Sequence, residues 1–168
     1  MQYACSRADL ILVNVNPAFQ HKDLEYCLNK VEIKTLVMPE RFSKSHYVDI
    51  VRHLVPDLGK DGTTNVKNDR VPHLQQVVVC GTKKHSGMIN FEDLYKIYSR
   101  NDAEELRRRE ENTDFESATN IQFTSGTTGF PKGATLSHHN ILNNGRMLGS
   151  IMEYDSNSKL CICVPLYH

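Results

Sequence analysis

The chain has 168 residues, 39% of them apolar and 24% charged, with twenty Lys and Arg balanced by twenty Asp and Glu. A neutral total of this kind gives no basic stripe for a phosphate backbone, so nucleic acid is not the expected partner, and nine Gly with six Pro exclude collagen and wholesale disorder. The longest apolar runs fall far short of the roughly 20 residues a spanning helix needs, so no transmembrane segment is expected and the length suits one domain or a piece of one.

Taken in chain order, Leu10–Val15 is apolar and β-branched and predicts a strand, which Asn16-Pro17 breaks. Asp23–Val31 predicts a helix, with Leu24, Cys27, Leu28 and Val31 at helical spacing. Ile33–Met38 is a second strand, closed by Pro39. Ser45–Val55 carries Val48, Val51, Leu54 and Val55 on one helical face and stops at Pro56. Gly59–Val71 is polar and predicts a surface loop, and Leu74–Cys80 a third strand that ends at Gly81.

Phe91–Tyr98 and Asp102–Glu111 predict helices. Leu106 is nearly the only apolar anchor of the second, and the acids around Arg107-Arg108-Arg109 imply a solvated, self-paired face. Asn120–Thr124 predicts a strand, Ser125–Gly133 a loop and Ala134–Ser137 a short extended return. Asn140–Met152 follows as a helix whose apolar set is Ile141, Leu142, Leu148, Ile151 and Met152. Ser137 is its expected cap, which leaves His138 and His139 at the helix start without a catalytic role. Leu160–Val164 predicts a closing strand. The alternation predicts an α/β fold, a largely parallel sheet flanked by helices, with no repeat and no break in composition.

Five cysteines, Cys5, Cys27, Cys80, Cys161 and Cys163, are an odd number without a Cys-x-x-Cys, so buried reduced thiols are expected. Cys161 and Cys163 would share one face of the closing strand. Zinc there would need two more ligands that the neighbouring sequence does not offer, so no metal site is assigned.

The chemistry concentrates in Thr124-Ser125-Gly126-Thr127-Thr128-Gly129-Phe130-Pro131-Lys132-Gly133. Glycines let a backbone bring its N–H groups up to an anion, four hydroxyls add neutral donors, and Lys132 adds a cation that can follow a phosphate. A P-loop does not fit: Pro131 stands in place of the second glycine and Gly133 in place of the Mg²⁺-binding hydroxyl. There is no G-x-G-x-x-G either, so a Rossmann nucleotide site has no support.

Thr124–Gly133 resembles the phosphate-binding signature of the AMP-forming acyl and aryl-CoA synthetases, luciferases and peptide-synthetase adenylation domains. Ile11–Phe19, Leu24-Glu25-Tyr26, Asn120–Phe123, Gly133–His138 and Pro165-Leu166-Tyr167-His168 extend the resemblance, which is nearest to the mitochondrial medium-chain acyl-CoA synthetases. The resemblance implies a partial N-terminal domain of the adenylate-forming fold. It implies ATP with Mg²⁺, coenzyme A and a medium-chain carboxylic acid as reactants, joined through an acyl-adenylate. Thr124, Ser125, Gly126, Thr127, Thr128, Gly129, Phe130, Pro131 and Lys132 would hold the β- and γ-phosphates, and His168 would lie near the acyl pocket and the thioester channel.

The resemblance also implies that the family's adenine, ribose and hinge motifs and its C-terminal domain fall beyond His168, so this chain is expected to be inactive alone and poorly soluble. Another acyl- or aryl-adenylate-forming ligase, and a non-catalytic product that only binds nucleotide or a partner, remain open. Kinship implies the mitochondrial matrix. No Arg-rich, acid-poor leader is visible at Met1, which leaves the cytoplasm as the alternative.

Overall fold

The computed structural model describes residues 1–124 and 130–163. In chain order the elements are α1 (Gln2–Arg7), β1 (Leu12–Asn14), α2 (His21–Lys30), β2 (Thr35–Pro39), β3 (Arg41–Phe42), β4 (Ser45–His46) and α3 (Tyr47–Leu54). They continue as β5 (Gln76–Cys80), β6 (Ile89–Asn90), α4 (Phe91–Ile97), α5 (Arg100–Asn112), β7 (Ala118–Thr124), β8 (Lys132–Ser137) and α6 (His138–Ile151). The fold is α/β, as the alternation predicts. Among the described residues its strands form two three-stranded sheets and a two-stranded hairpin.

The chain divides into two compact units, Val15–Ser99 and the pair of segments Met1–Asn14 and Arg100–His168. In the first, β2 and β6 flank β5, both parallel to it, with Val77 opposite Leu36 and Val78 opposite Val37 and Ile89. Val77, Val78 and Val79 are all buried. A strand buried on both faces reads as a continuous apolar run, and β5 has that pattern. Leu24, Cys27 and Leu28 of α2 and Ile50, Val51 and Leu54 of α3 supply the buried helical faces. Of the predicted α3 face, Val51, Leu54 and Val55 are buried, and Ile50 rather than Val48 completes it.

The 59–71 stretch is a loop, as expected, but not wholly a surface one. Val66 and Val71 are buried, and Val66 N–H donates to the Gln75 carbonyl at 2.8 Å. Arg70 binds Glu25 of α2 through two guanidinium nitrogens, at 2.6 and 3.1 Å, and donates to the His53 carbonyl of α3 at 3.3 Å. That guanidinium holds the Glu25 carboxyl below its ordinary range.

In the other unit β7 is the central strand, parallel to β1 and antiparallel to β8. Helix α1 packs against β1, β7 and α5. Arg7 of α1 pairs with Glu110 of α5, and Arg109 of α5 donates to the Ala8 carbonyl at 3.2 Å. Glu105 accepts from Arg108 and Arg109 at 2.8 Å, which holds its carboxyl down at about 2. The arginine-rich block therefore forms the self-paired face that its flanking acids predict.

Two expectations are corrected. Leu160–Cys163 has no regular secondary structure, so the predicted closing strand is absent among the described residues. Of the five thiols only Cys27 is buried; Cys5 is half-buried, and Cys80, Cys161 and Cys163 are exposed. No helix among the described residues is long and apolar enough to cross a membrane.

Candidate functional site

The glycine- and hydroxyl-rich segment falls in sequence between β7 and β8, which pair antiparallel. Its two ends face each other: Thr124 is the cross-strand partner of Lys132, as Phe123 is of Gly133 and Gln122 of Ala134. Thr124 Oγ1 donates a long bond, 3.5 Å, to the Lys132 carbonyl. Ile121 and Phe123 are buried and tie β7 into its sheet, while the Thr124 and Lys132 side chains are exposed. The register thus sets Thr124 and Lys132, a hydroxyl-bearing and a cationic residue, opposite each other where β7 ends and β8 begins.

Phe130 is exposed and Pro131 half-buried, both next to Lys132. Ser125, Gly126, Thr127, Thr128, Gly129 and His168 lie outside the described residues. The structure gives a second reason against a P-loop. That motif runs from its strand straight into a helix, whose N-terminus meets the phosphates. Here the chain returns as β8, and α6 begins only after that strand. Donors for an anion must then come from the loop's own backbone, its hydroxyls and Lys132 rather than from a helix end.

Beyond the turn, Ser137 caps α6: its Oγ accepts from Asn140 N–H at 3.2 Å, while Asn140 Oδ1 accepts from Ser137 N–H at 2.9 Å. This reciprocal pair fixes where the helix starts. His138 and His139 each meet a polar side chain of another segment. His138 Nδ1 is 3.1 Å from Ser6 Oγ of α1, and His139 Nδ1 is 2.7 Å from Glu116 Oε1 with its ring edge-on to Phe115.

The residues that the sequence does not single out lie below the turn. Asn120, Gln122 and Thr124 alternate on one face of β7, and Asn14 is the partner of Gln122 on β1. Asn120 is only 1% exposed, yet neither amide atom has a hydrogen-bond partner, and Asn14 Nδ2 and Gln122 Oε1 are likewise buried and unpaired. Each such group costs about 1–3 kcal/mol relative to a paired one, so apolar residues would serve stability better. Their signal in the sequence is the alternation Asn-Ile-Gln-Phe-Thr in a strand whose two faces are both buried. No three His, Cys, Asp or Glu side chains converge into a metal-ligating group among the described residues.

The family model described as AMP-binding enzyme matches residues 1–168. The chain is 39% identical over 170 residues to the medium-chain acyl-CoA ligase ACSF2, mitochondrial, of Danio rerio, covering 100% of this chain and 28% of that protein. It is 33% identical over 168 residues to the putative acyl-CoA synthetase YngI of Bacillus subtilis (strain 168), covering 100% of this chain and 31% of the relative. Among solved structures, a long-chain-fatty-acid-CoA ligase (FadD1) from Archaeoglobus fulgidus superposes with a TM-score of 0.61 at 24% identity, covering 99% of this chain and 28% of that one. At that identity the likeness shows the fold alone. The chain therefore spans less than a third of the length of these relatives.

Proposed function

Because the chain belongs to the AMP-binding enzyme family, we propose that it carries the phosphate-holding part of an AMP-forming acyl-CoA synthetase acting on medium-chain carboxylic acids. The substrates are Mg·ATP, the acid and coenzyme A, and the cation accompanies the nucleotide. In the first step the carboxylate attacks the α-phosphorus and pyrophosphate leaves. In the second, the coenzyme A thiol attacks the acyl carbonyl and AMP leaves.

The observation that supports this reading is the Thr124–Lys132 pairing, which sets a hydroxyl-bearing and a cationic residue opposite each other on β7 and β8. In the proposal Lys132 neutralises charge that builds on the departing pyrophosphate. Thr124, Ser125, Thr127 and Thr128 add hydroxyl donors, and Gly126 and Gly129 let the backbone close around the phosphates. Phe130 and Pro131 stiffen the return into β8, and His168 belongs to the acyl side of the site. Family kinship supports the role of the whole segment as part of the N-terminal domain of the adenylate-forming fold. The ACSF2 relatives, mitochondrial by name, support a mitochondrial location.

The test is calorimetric titration of the full chain with Mg·ATP and with pyrophosphate. Lys132→Ala is expected to weaken both by about tenfold or more, the size of one lost charge-assisted hydrogen bond. Equal affinity of wild type and variant would remove Lys132 from the phosphate site. Binding that is specific for the adenine nucleotide but unchanged by acid or coenzyme A would favour a nucleotide-binding product without catalysis.

A further inference from the structure

Cys161 and Cys163 lie outside everything assigned so far. Both are exposed, and their sulfurs are 3.7 Å apart, with either able to donate to the other. Cys163 also turns its thiol towards the Cys161 carbonyl, at 4.0 Å. Leu160–Cys163 belongs to no helix or strand, so no ladder of hydrogen bonds holds the two side chains apart.

We propose that Cys161 and Cys163 form a dithiol site that closes to an intramolecular disulfide by exchange with a small-molecule disulfide of the glutathione type. A disulfide needs its sulfurs at about 2.05 Å, so an approach of roughly 1.6 Å is required, within reach of side-chain rotation and a small backbone adjustment in an irregular segment. One thiolate attacks a sulfur of the small disulfide, forming a mixed disulfide and releasing one small thiol. The neighbouring thiolate then attacks the protein sulfur of that mixed disulfide and releases the second small thiol. Two protein thiols are oxidised, one small disulfide is reduced to two thiols, and the protons lost by the protein are those the two products carry.

The second attack is intramolecular and faces no diffusional competitor, so the mixed disulfide does not accumulate. A ring closed across a single intervening residue is tight and solvent-exposed. Such disulfides are oxidising and easily reduced, the behaviour of a reversible switch rather than a structural staple. In sequence the ring stands one residue ahead of Pro165-Leu166-Tyr167-His168.

The other thiols set the contrast. Cys27 is fully buried, which together with the nearby Asp23 charge pushes its thiol up to about 12 and keeps it out of exchange. Cys80 is exposed, and no thiol among the described residues lies within hydrogen-bond reach of it. It can accept a mixed disulfide but has no neighbour to resolve it.

The experiment incubates the full chain with excess oxidised glutathione, blocks the remaining thiols and maps the peptides by mass spectrometry. The expected result is a 161–163 peptide that has lost two hydrogens and holds no glutathione, while Cys80 retains an adduct. In Cys161→Ser and Cys163→Ser the remaining thiol should keep its glutathione in near-stoichiometric amount, because the resolving sulfur is gone. A wild-type peptide that retains glutathione, stays reduced while Cys80 is modified, or cross-links to a second chain would overturn the proposal.

Discussion

Gly59 and Gly87 approach each other backbone to backbone, with φ of +78° and +76°. A Cβ on Gly87 would stand 2.5 Å from the Gly59 nitrogen, and one on Gly59 would stand 2.4 Å from the Gly87 nitrogen. Gly87→Ala therefore combines left-handed strain with a clash that backbone cannot relieve, and is expected to cost about 2 kcal/mol or more. Gly145 lies inside α6 with nothing within 4 Å of its would-be Cβ, so Gly145→Ala should stabilise the helix by up to about 1 kcal/mol. Urea midpoints of the two variants should move in opposite directions; a shared direction would refute the distinction. Composition makes these two glycines equivalent, and only the crossing of two loops separates them. The residues of the proposed site divide in the same way. Thr124 and Lys132 are legible because hydroxyls, glycines and a lysine in one short run describe anion chemistry by themselves. Asn14, Asn120 and Gln122 are not, because an amide on a strand signals nothing until both faces of that strand are known to be buried.

Among elements, α6 shows local rules succeeding and then stopping. Ser137 is the expected cap, and its Oγ accepts from Asn140 N–H, while the Asn140 side chain adds a return bond that the sequence reading does not anticipate. Ser137→Ala should cost about 1 kcal/mol, read as a lowered urea midpoint, while Ser137→Asp should retain most of the stability. If Ser137→Ala matched wild type, the cap would not matter to the fold. The same helix's apolar spacing implies a buried face, yet of that set Leu142, Leu148, Ile151 and Met152 are exposed and Ile141 is only half-buried. Periodicity reports which residues could share an interface, not whether one forms. Leu160–Cys163 fails for a related reason: alternation is local, but a strand exists only through a partner's hydrogen bonds, and none pairs with it among the described residues. The elements that the sequence misses, α1, the β3–β4 hairpin and β6, are six residues or fewer. They are too short for any period to show.

At the scale of the whole molecule the apolar residues are distributed unequally. Nearly all the buried ones lie in Val15–Ser99, while the other unit buries chiefly Ile121 and Phe123 of β7. Residues 15–99 expressed alone should therefore fold, giving native circular dichroism and one cooperative urea transition. In the full chain, amide protons of Val77–Val79 should outlast those of α6 in hydrogen exchange. A segment 15–99 without a cooperative transition would show that its core depends on the rest of the chain. By itself the sequence determined the alternating α/β character, the positions of most longer elements, the Ser137 cap and the residue types of the segment proposed to hold phosphate. These depend on near neighbours along the chain, through side-chain period, capping hydrogen bonds and residue type. Only the tertiary structure decided that the described strands form separate sheets, that β7 and β8 pair antiparallel, that α6 leaves most of its apolar residues exposed and that Cys161 meets Cys163. Each of those depends on which distant segments come together and which surfaces they cover, and no local pattern encodes that pairing.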